Sequence, residues 1–336
     1  MSFKPAWWLH NGHLQTISAA LFRQVPAVNS YRERWLTPDK DFIDIDFCGE
    51  LTHSVVILLH GLTGSSQSLY IRGLQTALLN KGLSSAALNF RGCSGESNNT
   101  SRCYHSGETT DIDFFYTQLR NKYPTLAIAV VGFSLGGNVL LKWLGEKGPA
   151  LDLFAAVAVS VPLLLNESAN RLDTGFSKLY RNRLLTELKD YLRHKHQHLL
   201  NIQQFEEAEK IRQLGDLSGI RSFWEYDERV VAPLYGFKNA LDYYQKSSSR
   251  QFLSTIQVPS LIIQAADDPF MTPAVLPDIN ELSAYVQMEI TVSGGHVGFV
   301  SGVNPRHPFY WLEQRIPEFL KLQLKMSNLS GFWSVA

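Results

Sequence analysis

The sequence predicts an α/β protein with a mostly parallel central sheet flanked by helices and a helical cap inserted into it. Three observations carry that prediction. Short apolar runs of strand length alternate with helical patterns along most of the chain, as in a sheet wound with helices. One such run turns directly into a helical pattern through Gly132-Phe133-Ser134-Leu135-Gly136. The interval from about residue 166 to 254 holds charged amphipathic stretches but no convincing strand.

Seven strands are expected in order, over Phe42–Phe47, Val55–His60, Ser84–Phe90, Leu126–Val131, Ala155–Val161, Leu261–Ala265 and Met288–Val292. The first alternates polar and apolar residues, as an outer antiparallel strand would. The later ones are continuously apolar, as strands covered on both faces should be. Helices are expected over Ser68–Lys81, Gly107–Tyr123, Gly136–Lys147 and Pro308–Leu324, where apolar residues recur at helical spacing. The strandless interval includes Arg181–His198 and Phe205–Leu214, both amphipathic. Residues 1–165 and 255–336 are therefore assigned to the core and 166–254 to the cap. In a parallel sheet, ligands bind beyond the carboxyl ends of the strands, so a cap there would shape the pocket.

Composition narrows the function classes. A chain of 336 residues with 45% hydrophobic and 18% charged residues is an ordinary globular protein, too apolar to be disordered. Lys plus Arg equals Asp plus Glu, 31 each, so no global charge points to nucleic acid or acidic partners. Polar residues interrupt the N-terminal segment before it reaches signal-peptide length, and Leu153–Leu165 is too short to span a bilayer. No membrane span and a cytoplasmic location are expected. Cys48, Cys93 and Cys103 make no even framework and no C-x-x-C pair, which points to reduced thiols.

The G-x-S-x-G stretch is the chemical centre of the sequence. A strand that turns sharply into a helix holds the turn residue in a strained conformation and exposes its side chain, here Ser134. A serine nucleophile needs a base, a carboxylate to orient the base, and donors for the oxyanion. In the α/β-hydrolase fold these follow in the order Ser, acid, His, each where a strand meets a loop. Ala266-Asp267-Asp268-Pro269-Phe270 follows the strand ending at Ala265, and Ser293-Gly294-Gly295-His296-Val297-Gly298 follows the last strand. His296 is the expected base. Taking Ala265 as the small residue that ends its strand selects Asp268, three positions on, as the acid, with Asp267 as the alternative. The oxyanion donors expected are the backbone N–H of Leu135, just after the nucleophile, and of Leu62 in His60-Gly61-Leu62-Thr63-Gly64. This chemistry calls for no cofactor and no metal.

Further stretches make the pattern specific: Pro5-Ala6-Trp7-Trp8-Leu9, Asn11-Gly12-His13-Leu14-Gln15-Thr16, Leu59–Gly64, Asn89-Phe90-Arg91-Gly92-Cys93-Ser94-Gly95, Gly132–Asn138, Ala266–Phe270 and Gly294–Phe299. On these residues, which cover most of the chain outside the cap, the sequence resembles the YheT-type branch of the α/β-hydrolase superfamily, related to the eukaryotic ABHD esterases and lipases. The resemblance implies Ser134, Asp268 and His296 as a triad and a small-molecule or lipid-like ester as substrate. Relatives of this kind include esterases, phospholipases and alcohol acyltransferases, so the resemblance transfers no particular substrate. The expected activity is serine carboxylic-ester hydrolysis through an acyl-enzyme. Transfer of the acyl group to an alcohol, or a hydrolase-fold binding protein without turnover, are the alternatives.

Other residues have plainer readings. His60 in its H-G step is expected to be structural, with its ring hydrogen-bonded near the oxyanion loop. His194, His196 and His198 belong on a solvated cap helix, where only the first and last share a face. His10 and His13 belong to a packed N-terminal segment with Trp7 and Trp8. Asp111 and Asp113 are expected to hold their helix by capping or surface charge.

Overall fold

The computed structural model describes residues 2–25 and 27–331. Its centre is an eight-stranded sheet of β1 (Tyr31–Leu36), β2 (Phe42–Cys48), β3 (Ser54–Leu59), β4 (Ser84–Asn89), β5 (Ala127–Phe133), β6 (Ala155–Val159), β7 (Ser260–Ala265) and β8 (Val286–Thr291). The spatial order is β1-β2-β4-β3-β5-β6-β7-β8. From β4 to β8 every pairing is parallel, while β1 and β2 run antiparallel. Eleven helices are described: α1 (Gly12–Leu21), α2 (Leu69–Leu79), α3 (Thr110–Lys122), α4 (Leu135–Lys147), α5 (Leu165–Leu172), α6 (Ser177–Asn201), α7 (Phe205–Arg212), α8 (Phe223–Tyr226), α9 (Ala232–Tyr235), α10 (Ala240–Ser247) and α11 (Leu312–Gly331).

Alternation along the buried strands divides two cores. Val55, Ile57 and Leu59 face α3 and α4, whereas Val56 and Leu58 face α2 and α11. Burial on both faces explains the continuously apolar sequence of β3. No helix among the described residues is long and apolar enough to cross a membrane.

The predicted outer strand is antiparallel but not outermost. β1, which the sequence reading leaves out, pairs outside it, and all of β2 is buried. The polar positions of β2 are ion-pair partners: Asp44 accepts two hydrogen bonds from Arg34 and Asp46 two from Arg32. The last helix is also displaced. Residues before Leu312 form a short strand, Phe309–Tyr310, paired with Val300–Ser301.

Asp111 corrects another expectation. It is buried rather than a surface charge, and receives Nε and Nη2 of the buried Arg91, both at 2.8 Å. Asp39 receives Nη1 of the same guanidinium at 2.8 Å. Removing one side of a buried pair strands the other charge in the protein. Arg91→Ala is therefore expected to cost about 3–5 kcal/mol, read as a lowered urea midpoint. Asp113 instead accepts from the indole of Trp143 and from Lys147.

Between β6 and β7 the chain forms α5 to α10, which share a third apolar cluster. On α6, Leu185, Leu188, Leu192, Lys195 and Leu199 are buried at alternating three- and four-residue steps, the seam of an amphipathic helix. The lysine in that seam donates to the Thr100 and Arg102 carbonyls at 2.7 and 2.9 Å, anchoring α6 to the core loop. Tyr191 donates to the Arg91 carbonyl at 2.9 Å. Gly92 has φ +74°, and a Cβ there would lie 2.2 Å from the Tyr191 ring, so this docking needs glycine. His194, His196 and His198 lie along α6, with His198 directed at Asn99.

Candidate active site

The site begins where β5 becomes α4. Ser134 joins them with φ 51° and ψ −118°, a strained conformation for a residue with a side chain. The flanking glycines permit it. A Cβ on Gly132 would meet the Gly136 carbonyl oxygen at 2.4 Å, and one on Gly136 would meet the His60 carbonyl oxygen at 2.5 Å.

His296 is carried on the loop after β8. Its Nε2 lies 2.9 Å from Ser134 Oγ, and its Nδ1 lies 2.9 Å from Asp268 Oδ2. The other Asp268 oxygen accepts the Phe270 N–H at 2.8 Å, which fixes the carboxylate plane. Asp267 points elsewhere and accepts the Gly295 N–H at 2.9 Å; burial raises its pKa. The structure thus brings Ser134, His296 and Asp268 together and leaves Asp267 to shape the histidine loop.

Several supporting residues escape the sequence reading. The His296 N–H donates to Thr16 Oγ1 at 2.8 Å, and the Val297 N–H to Ser160 Oγ at 3.0 Å. The Phe270 ring stacks on the imidazole with centroids 4.0 Å apart. Thr16 explains why the N-terminal stretch matters. Asn11 caps α1, and a Cβ on Gly12 would lie 1.9 Å from the Asp267 carbonyl oxygen. Gln15 clamps Val300 by accepting its N–H and donating to its carbonyl. Helix α1 is held directly against the two loops that carry Asp268 and His296. Thr16 lies within the Asn11–Thr16 stretch, but its partner is 280 residues away, beyond local pattern.

Gly61 lies against Ser134: a Cβ there would be 3.3 Å from Ser134 Cβ. The Gly61 N–H donates to Tyr70 at 2.8 Å and the Thr63 N–H to Tyr104 at 2.9 Å. Between them, the Leu62 N–H has no acceptor among the described residues, and neither has the Leu135 N–H at the start of α4. Both residues line the cavity that contains Ser134. The α4 N-terminus adds the positive end of its dipole there.

His60 sits inside this loop with both nitrogens engaged. Its Nδ1 donates to the Gly61 carbonyl at 2.7 Å, and its Nε2 accepts the Phe90 N–H at 3.1 Å. Burial pushes its pKa down to about 4, and burial does the same to His105. The unfolded chain takes up protons below about pH 6.5 that these folded rings refuse until about pH 4. Their stabilising contribution is complete above 6.5 and is lost as pH falls through that window. Asp227, pushed up to about 7 by burial, acts in the opposite sense, since the folded form keeps a proton the unfolded chain sheds. Burial also lowers the pKa of His13, so three rings stand against the carboxyls of Asp227 and Asp267, and the urea midpoint is expected to be lower at pH 5 than at pH 7. A midpoint that rises on acidification would contradict the neutral rings.

The cavity over Ser134 has a volume of about 660 Å³. Leu165, Ala169, Leu172, Leu184, Leu188 and Phe223 of α5, α6 and α8 line it together with Ile17, Ala20 and Leu21 of α1. Its walls are mainly aliphatic and aromatic. All three cysteines are free, and burial pushes the Cys93 thiol up to about 12, so none is an activated nucleophile.

Comparison with known proteins agrees with this architecture. The family model described as "alpha/beta hydrolase fold" matches residues 54–303. YheT of Escherichia coli (strain K12), which bears the name of an esterase, is 37% identical over 97% of this chain and 95% of its own length. Phospholipase ABHD3 of Mus musculus is 28% identical over 92% of this chain and 76% of its own. Among solved structures, an esterase from Pyrococcus furiosus superposes with a TM-score of 0.54 at 19% identity, covering 88% of this chain and 91% of that one. Fold and relatives together place the chain among α/β-hydrolases, a class in which the relatives named here are called esterase and phospholipase. The chain belongs to the α/β-hydrolase family, in its YheT-type branch.

Proposed function

We propose that this protein hydrolyses carboxylic esters through Ser134, His296 and Asp268 by way of an acyl-enzyme. The observation that carries the reading is the continuous hydrogen-bonded path from Ser134 Oγ through both imidazole nitrogens to Asp268, at 2.9 Å for each step. With its Nδ1–H donated to Asp268, the imidazole presents Nε2 as an acceptor. Nε2 takes the serine proton as Oγ bonds to the acyl carbon. The Leu62 and Leu135 N–H groups hold the developing oxyanion. The imidazolium then returns the proton to the departing alkoxide, and the ester C–O bond breaks. Water enters, loses a proton to His296 and attacks the acyl carbon; the imidazolium gives that proton to Ser134 Oγ as the acyl–serine bond breaks, releasing the acid.

The apolar cavity fits an ester with a substantial aliphatic part, consistent with a relative named as a phospholipase. The segment over residues 166–254 supplies much of that wall and is proposed as the element that selects the substrate.

The test is labelling with a fluorophosphonate on wild type and Ser134→Ala, followed by a p-nitrophenyl ester series from C2 to C12. Labelling confined to a chain with Ser134, and a kcat/KM that rises with acyl length before levelling, is the expected result. A folded wild type that neither labels nor turns over any ester would overturn the reading.

A further inference from the structure

The cap side of the cavity holds an acid that hydrolysis does not use. Asp227 lies in a π-helical turn, Asp227–Val231, directly after α8, and lines the cavity with Tyr226, Tyr243 and Tyr244. Its Oδ2 accepts the Tyr244 hydroxyl at 2.6 Å. Its Oδ1 takes no hydrogen bond among the described residues and is not sealed within the protein. No described lysine, arginine or histidine pairs with it, and burial is the chief influence on the carboxyl. The other acid on the cavity wall away from the triad, Glu187, already receives Arg183 at 2.9 Å.

A buried carboxyl without a cation is costly, and it becomes favourable when a positive group enters beside it. The aromatic rings around it suit the same occupant, since ring faces attract cations. The Tyr244 ring packs against Trp224 at 4.7 Å and against Tyr243 at 5.3 Å, so the phenol that holds the carboxyl is itself held. The open acceptor oxygen calls for an N–H donor. A neutral hydroxyl would add one ordinary hydrogen bond, whereas an ammonium adds charge and donors together.

We propose that Asp227 forms a subsite for a protonated primary amine carried by the ester substrate. The proposal rests on the reading of the cavity as the substrate site and names the chemistry of one end of that substrate.

Hexylammonium and 1-hexanol, of equal chain length, test it. Their dissociation constants are measured by titration calorimetry on the full chain at pH 8, which requires no turnover. Hexylammonium is expected to bind at least about tenfold tighter than hexanol, the scale of one charge-assisted hydrogen bond, and to slow fluorophosphonate labelling of Ser134. Asp227→Asn keeps an acceptor for Tyr244 and removes the charge, and should abolish the preference. Tyr244→Phe and Glu187→Gln, which leave the Asp227 carboxyl in place, should keep it. Taking the ratio of the two ligands within each variant cancels general changes in cavity shape. Equal affinities in wild type overturn the proposal whatever the variants do, and so does a preference that survives Asp227→Asn. Failure of the fluorophosphonate to label Ser134 would instead overturn the hydrolytic reading, with the calorimetric ratio still decisive for Asp227.

Discussion

Ser134→Ala is expected to lower kcat by 10⁴ to 10⁶ while KM moves by no more than about threefold. The alanine removes the only atom that would bond to the acyl carbon and leaves the cavity walls unchanged. The turnover that remains would come from oxyanion donors and binding alone, which in serine hydrolases still exceed the uncatalysed rate by about 10³ to 10⁴. The same reasoning predicts non-additivity. His296→Ala loses the acceptor 2.9 Å from Oγ, so the double variant should be scarcely worse than either single one. Initial rates on p-nitrophenyl butyrate for the two single variants and the double variant measure this directly. A Ser134→Ala enzyme within about tenfold of wild type would remove Ser134 from the mechanism.

Asp268→Asn is expected to cost about 10⁴ in kcat, whereas Asp267→Asn should cost less than about tenfold. The asymmetry follows from what each carboxylate touches. Asp268 accepts the His296 Nδ1–H at 2.9 Å and the Phe270 N–H at 2.8 Å, so it sets both the tautomer and its own orientation. An asparagine there can turn its amide nitrogen toward the ring. The proton then moves to Nε2, and the imidazole meets Ser134 as a donor rather than a base. Asp267 accepts the Gly295 backbone N–H at Oδ1, a bond that an asparagine oxygen can also accept. Steady-state kinetics on the two variants, with folding checked by circular dichroism, separate the cases. Equal losses would transfer the orienting role to Asp267.

The elements legible in the sequence share a physical origin. Strands β3 to β7 are buried on both faces, so apolar residues follow one another through their middles, and a short window suffices to recognise them. The turn at Ser134 is legible for a similar reason, because the positive φ of the serine and the Gly132–Gly136 approach are set within a few residues. Strand β1 is different. Its sequence, Tyr-Arg-Glu-Arg-Trp-Leu, looks like surface because its arginines pair with Asp44 and Asp46 of β2, a fact of register and not of composition. The same pairing buries a strand whose alternation suggests an exposed edge.

What the sequence alone established was the class of fold and the succession of Ser134, Asp268 and His296, each just after a strand, because local sterics and the period of burial write these into short stretches. Tertiary structure decided the rest: that Asp268 rather than Asp267 meets the imidazole, that α1 braces the histidine loop through Thr16, that Arg91 and Asp111 pair inside the core, and that Asp227 opens into the cavity without a cation. Each of these depends on residues far apart in the chain meeting at hydrogen-bond distance, and no local period records such a meeting.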